Sequence, residues 1–278
     1  MSTHVWINGQ AEVALLATDR GLVYGDGLFE TMRLAHGAVP LLSRHLARLE
    51  ASCKRLEIAL DMEQLRAEID RFLESLVPPE DCGVIKLVVT RGAGGRGYRA
   101  PVEPRPTRIL IQQPTPDYPA AWWSEGVVVR YCDMRMGANP RLAGMKHLNR
   151  LEQVLARMEW FEEDVAEGLM SDAKGRLVEG ISTNLFVVSG GRLLTPAIES
   201  CGVAGVMRQF ILDEVVPRLG ISAEVTNCER AVVIAAQEIF LCNAVVGVWP
   251  VRKLGNKTWS VGAVTRRIQA AVQNALES

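Results

Sequence analysis

The strongest constraint on the fold is a switch of hydrophobic period near residue 80. Before it, Leu46, Leu49, Cys53 and Leu56 recur at three- and four-residue spacing, which predicts a helix over 43–59 with Ser43 as N-cap. Leu65, Ile69, Phe72, Leu73 and Leu76 predict a second helix over 63–76, stopped by Pro78-Pro79. After it, Val84 to Thr90 is an unbroken β-type run, and Thr107 to Gln113 and Gly126 to Tyr131 are two more. With Val5-Trp6-Ile7 before an Asn8-Gly9 turn, this predicts a small α+β N-terminal domain over 1–118.

Beyond an irregular Pro- and aromatic-rich connection at 114–125, the pattern changes again. One helix is predicted over 148–161, with Leu151, Val154, Leu155 and Met158 on one face, and another over 206–218. Short strands at 177–179, 184–189, 192–195, 222–226 and 238–242 surround them. This predicts a larger β-rich domain over 126–278, and an α+β, two-domain chain.

Composition narrows the function. A net charge of −1 gives no global field for nucleic acid or an anionic membrane. No apolar run approaches the roughly 20 residues that span a bilayer, and no secretory leader pattern opens the chain, so a cytoplasmic protein is expected. The six cysteines form no CxxC pair and no Cys/His metal spacing, and read as reduced core residues. The four histidines are too scattered to suggest a triad, and no metal site is predicted.

Four features bear on chemistry. Lys146, one of six lysines against twenty-five arginines, lies in the polar island 144–150. Alone it reads as a solvated lysine ahead of a helix, but lysine, unlike arginine, can lose its proton and form a Schiff base. Gly205 before Val206, Met207 and Arg208 is a glycine at a helix start, where N–H groups and the helix dipole favour an anion. Arg48, flanked by apolar positions 46 and 49, needs an anionic partner if it faces inward. Glu179, between apolar strand residues, is either half of a salt bridge on an edge strand or a buried carboxylate that wants a cation such as a protonated ring nitrogen. Together they match the needs of pyridoxal 5′-phosphate. The glycine loop Arg91 to Tyr98 lacks a GK[ST] ending, and its arginines suit an acidic substrate better than a nucleotide.

The chain resembles the fold-type IV pyridoxal phosphate enzymes, which include branched-chain aminotransferases, D-amino acid aminotransferases and 4-amino-4-deoxychorismate lyases. The resemblance covers nearly the whole chain. It rests on Asp19-Arg20-Gly21, Tyr24 to Thr31, His45 to Leu49, Lys146, Glu179 to Phe186 and Gly205 to Arg208. The blocks Arg91 to Tyr98 and Asn139 to Glu152, and Cys242-Asn243-Ala244, look specifically like the lyases.

By this resemblance, Lys146 carries the cofactor, and Arg48 with the N–H groups of Val206 and Met207 holds its phosphate. Asn243 and Ala244 close the other side, Glu179 pairs with the pyridine nitrogen, and Asn184 and Gly205 complete the cofactor set. Thr31, Arg91, Arg96, Tyr98, His147 and Asn149 are the expected substrate contacts. The implied reaction converts 4-amino-4-deoxychorismate, a small molecule with two carboxylates, to 4-aminobenzoate and pyruvate on the folate route. A homodimer is implied. The alternative is an aminotransferase of the same fold, acting on D-amino or branched-chain amino acids.

Overall fold

The computed structural model describes residues 4–11, 14–78 and 81–277. It divides into two compact units. The first comprises residues 1–117, 145–149 and 276–278, and the second 118–144 and 150–275.

The first unit is a four-stranded antiparallel sheet with three helices among its described residues. Its elements are β1 (His4–Ile7), α1 (Arg20–Tyr24), β2 (Gly27–Leu34), α2 (Leu42–Leu56), α3 (Met62–Glu74), β3 (Gly83–Thr90) and β4 (Thr107–Gln113). The strand order is β1-β4-β3-β2, and the β2–β3 register runs unbroken from Gly27 opposite Thr90 to Leu34 opposite Gly83. Alternation decides the faces. Leu28, Glu30, Met32 and Leu34 of β2 are buried, while Phe29, Thr31 and Arg33 are half-buried on the other face. Leu49 and Cys53 of α2 and Leu65, Ile69 and Phe72 of α3 are buried, so the predicted helical stripes face the core.

One detail of the helix ends differs from expectation. Ser43 lies inside α2, whose N-cap is Leu41 with no side-chain capping bond. Asp61 caps α3 through Gln64 N–H at 2.9 Å. Pro79 of the predicted stop lies outside the described residues.

The second unit is built on a nine-stranded sheet. Its elements are α4 (Ala121–Ser124), β5 (Val127–Met136), α5 (Leu151–Arg157), β6 (Val165–Asp172), β7 (Leu177–Gly180), β8 (Asn184–Ser189), β9 (Arg192–Pro196) and α6 (Val206–Phe210). They continue as a π-turn (Ile211–Val215), α7 (Val216–Arg218), β10 (Ala223–Thr226), α8 (Arg230–Ile234), β11 (Glu238–Asn243), β12 (Gly247–Leu254), β13 (Lys257–Thr258) and α9 (Ala263–Glu277). The order is β10-β9-β8-β11-β12-β5-β6-β7, with β13 paired to β12, and β7 also pairs with β8. Six strands therefore close on themselves, which removes the edges that an open sheet would expose. Val127, Val129, Leu169, Leu185, Val187, Leu241 and Trp249 are among the residues of its core.

Three expectations need revision here. The connection at 114–125 is packed from Tyr118 onward: Tyr118 meets Trp249 edge-on at 5.0 Å, and Trp123 Nε1 donates to the Val246 carbonyl at 2.8 Å. Residues 145–149, which the sequence assigns to the C-terminal domain, group with the first unit, because Leu28 and His147 form a β-bridge. Finally, α5 is turned inside out. Gln153 and Ala156 are buried, whereas Leu151 and Met158 are 76% and 64% exposed, and Val154 and Leu155 are exposed too.

Candidate active site

Each unit carries one group of the expected residues. In the first, β2 aims Glu30 at α2, where His45 and Arg48 lie three residues apart on the inward face. Arg48 Nε donates to Glu30 Oε1 at 2.8 Å, and Arg48 Nη2 donates to Oε2. His45 Nδ1 lies 2.6 Å from Glu30 Oε2. Burial opposes the Glu30 charge, but the Arg48 guanidinium and the His45 hydrogen bond prevail and hold its carboxyl below the usual range. Burial pushes the His45 imidazole down despite Glu30, so the neutral ring donates through Nδ1. The anionic partner that an inward Arg48 requires is thus Glu30.

The segment carrying Lys146 runs alongside β2. Phe29 N–H donates to the Lys146 carbonyl at 2.9 Å, and Leu148 N–H to the Gly27 carbonyl at 3.0 Å. These bonds fix the backbone from which the lysine projects. Its Nζ lies 4.4 Å from the Phe29 ring centroid, within cation–π range. Asn149 Nδ2 donates to the Gly25 carbonyl at 3.2 Å, which ties the end of the segment down.

In the second unit, Glu179 on β7 is 4% exposed. Its Oε2 accepts from Val203 N–H at 2.8 Å and from Asn184 Nδ2 at 3.4 Å, and Asn184 Nδ2 also reaches the Val203 carbonyl at 3.0 Å. One strand pairing, Glu179 opposite Asn184, therefore docks the 202–205 loop against β7 and β8. Gly205, the N-cap of α6, is required by contact: a Cβ there would meet Asn184 Oδ1 at 1.9 Å. The N–H groups of Val206 and Met207, at the first turn of α6, have no acceptor within the helix. Arg208 turns into the core, donating to Thr195 Oγ1 at 3.2 Å and to the Pro196 carbonyl at 3.1 Å.

These residues suit a phosphorylated pyridinium. Within the second unit, a buried carboxylate such as Glu179 is the partner a ring N–H requires, and the N–H groups at the glycine-led start of α6 are suited to a phosphate. The amino-transferase class IV family model matches residues 27–254, a span that includes both groups.

The chain belongs to the class IV aminotransferase family.

Among relatives of this family, the aminodeoxychorismate lyase of Vibrio harveyi is 33% identical over 95% of this chain and 97% of its own length. The solved structure of 4-amino-4-deoxychorismate lyase from Pseudomonas aeruginosa is 46% identical, with a TM-score of 0.94 over 99% of this chain and 100% of that one. The Escherichia coli branched-chain amino acid aminotransferase, at 23% identity and a TM-score of 0.83, shares the fold over 98% of this chain and 93% of its own.

Within this class IV framework the expected substrate contacts separate. Arg91 is committed elsewhere. Its Nε and Nη2 grip Asp26 at 2.8 and 3.0 Å, and Nη1 and Nη2 reach the carbonyls of Glu57 and Leu56, both at 2.8 Å. It caps the C-terminal end of α2 and, with four of its five N–H donors used, is poorly placed to read a substrate carboxylate. Arg96 and Tyr98 are exposed, and Thr31 is half-buried on the Phe29 face of β2. Asn243 spends its side chain on turns: Oδ1 accepts from Val245 and Val246 N–H, both at 2.9 Å, and Nδ2 donates to the Ser182 carbonyl at 3.2 Å.

Two organising residues were given no role by the sequence reading. Arg20, 4% exposed, donates to Asp26 at 2.8 Å and to the carbonyls of Gly97, Tyr98 and Arg99 at 3.1, 3.1 and 3.3 Å. It holds the glycine loop from beneath. Glu167, 3% exposed, accepts from Gly168, Ile181 and Ser182 N–H and from the Ser182 and Thr183 hydroxyls at 2.7–3.2 Å. It shapes the turn between Glu179 and Asn184. Burial raises its carboxyl against those five donors. An acid inside the apolar run of β6 was the available signal.

Proposed function

We propose that this chain is a pyridoxal 5′-phosphate-dependent lyase that converts 4-amino-4-deoxychorismate to 4-aminobenzoate and pyruvate on the folate route. The observation that supports it most is the buried Glu179 carboxylate fixed by Val203 and Asn184, in a chain matching a structure of that lyase at 46% identity over its whole length.

By the family resemblance, Lys146 would join the cofactor, Glu179 would pair with its ring nitrogen, and Arg48 with the N–H groups of Val206 and Met207 would hold its phosphate. Asn184 and Gly205 support this set, and Asn243 and Ala244 form the neighbouring turn. When bound, the cofactor supplies an electron sink at the carbon bearing the substrate amine. Glu179 would pair with the protonated ring nitrogen, which makes that sink effective. Lys146, freed once the substrate amine takes its place on the cofactor, would take the proton from C4 of the substrate. The C3–O bond then breaks, enolpyruvate leaves and the carbocycle becomes aromatic. Lys146 returns a proton to the enolpyruvate methylene carbon, giving pyruvate. Arg96 and Tyr98 meet the two substrate carboxylates, with Thr31, His147 and Asn149 lining the ring.

We also propose a cytoplasmic homodimer, the second copy covering the apolar face of α5. Among the described residues no helix is long and apolar enough to cross a membrane.

The deciding experiment supplies enzymatically made aminodeoxychorismate and couples pyruvate release to lactate dehydrogenase. Stoichiometric pyruvate and 4-aminobenzoate are expected. Keto acid exchange with D-alanine or a branched-chain amino acid, and no pyruvate from aminodeoxychorismate, would establish an aminotransferase instead. Borohydride reduction is expected to fix the cofactor on the Lys146 peptide.

A further inference from the structure

At the far end of the β2–β3 pair, a tight turn and a loop bring together three side chains that the proposed reaction does not use. Ala35 and Ala38 close a two-residue hairpin turn, with N–H···O distances of 2.9 and 3.0 Å in the two directions. His36 and Gly37 occupy its centre at φ +49° and +76°. Gly37 N–H donates to the Asp81 carbonyl at 2.8 Å, which locks the turn to the segment entering β3. Leu34 pairs with Gly83, so Cys82, the residue just before β3, comes beside the turn. His36, Asp81 and Cys82 each offer one ligand atom, all within 4.8 Å of one another.

We propose that His36, Asp81 and Cys82 bind a divalent thiophilic metal ion of the Zn²⁺ class. One imidazole, one carboxylate and one thiolate, with a fourth position left to water, are the donors such an ion takes in tetrahedral geometry. Cys82 Sγ and His36 Nδ1 are 3.7 Å apart. Two ligands on one tetrahedral zinc, with bonds of about 2.3 Å to sulfur and 2.05 Å to nitrogen, lie roughly 3.6 Å apart. That pair therefore needs almost no adjustment, while the Asp81 oxygen, within 4.8 Å of both, has to close in. His36 N–H also points at Cys82 Sγ at 3.4 Å, a donor that orients the ligand.

Cys82 is also the accessible thiol of the chain. The other five cysteines are buried, and burial drives the thiols of Cys53, Cys132 and Cys242 up to about 12 and that of Cys228 to about 11. A metal–thiolate signal can thus be assigned to one residue. Ligands 46 residues apart escape a spacing search, because the strand register and not the local sequence unites them.

The test titrates the cofactor-loaded protein with Co²⁺. Tetrahedral cobalt–thiolate absorption is expected at the red end of the visible spectrum, clear of the pyridoxal chromophore, saturating at one ion per chain and abolished by Zn²⁺. Cys82→Ser and His36→Asn should each weaken binding by at least about tenfold. Asparagine tolerates the left-handed backbone at 36, so the turn survives, and circular dichroism and pyruvate release should match the parent. No cobalt band in the parent protein, or equal affinity in Cys82→Ser, would overturn the site.

Discussion

At the scale of single residues, the chain places its charges where burial makes each of them depend on a partner. Glu30 is 1% exposed and answers both Arg48 and His45. Glu30→Ala would strand a largely buried guanidinium, so a loss of about 3–5 kcal/mol is expected in urea unfolding of the cofactor-free protein. The pH dependence has a definite sign. The His45 imidazole is held below its ordinary 6.5, so the unfolded chain takes up a proton first as pH falls, and stability declines just below 6.5. Glu30 is held below its ordinary 4.5, so its stabilisation is complete above that value and vanishes as pH falls through the lower folded one. Unfolding midpoints measured against pH should show the first decline in the parent protein and not in His45→Gln. Glu179→Gln should lower kcat by about 10²–10³-fold with the fold intact, since one charge aimed at the reacting system is lost. An unchanged kcat would remove Glu179 from the proposed role.

At the scale of elements, the structure separates residues that hold loops from residues that can meet a ligand. Arg91 looks like a carboxylate reader in the sequence, yet it joins Asp26 to the end of α2. Arg91→Ala should therefore destabilise the first unit by about 3 kcal/mol and leave KM for the substrate within twofold. A large rise in KM at unchanged stability would return it to the substrate set. Gly205→Ala tests the start of α6: a methyl 1.9 Å from Asn184 Oδ1 must displace one of the two, at a cost of about 1–3 kcal/mol. Cofactor affinity, measured by fluorescence quenching, should fall with it.

At the scale of the whole molecule, α5 carries the strongest sign of a missing neighbour. Leu151, Val154, Leu155 and Met158 are all more than half exposed, and Phe161 just beyond is 89% exposed. A contiguous apolar stripe of this kind is rare on a solitary soluble chain. Leu151→Asp with Leu155→Asp should convert a dimer to a monomer in sedimentation equilibrium without loss of helix signal. A parent protein that is monomeric at all concentrations would refute the homodimer. The sequence shows the stripe but not its direction, because a 3.6-residue period looks the same whether it faces a core or a second copy.

What the sequence determined by itself is local and periodic. It set the helical stripes of α2 and α3, the β-runs of β3 and β4, the isolated Lys146, and the motifs around Glu179 and Gly205 that mark the class IV family. Each depends on residues a few positions apart. The tertiary structure alone decided the partners: Glu30 for Arg48, Asp26 for Arg91, Val203 for Glu179, and Cys82 for His36. It also moved 145–149 into the first unit and turned the apolar face of α5 outward. The reason is physical. A side chain's donors and charge are spent on whatever the strand register brings within 3 Å or so, and that register joins segments distant in sequence.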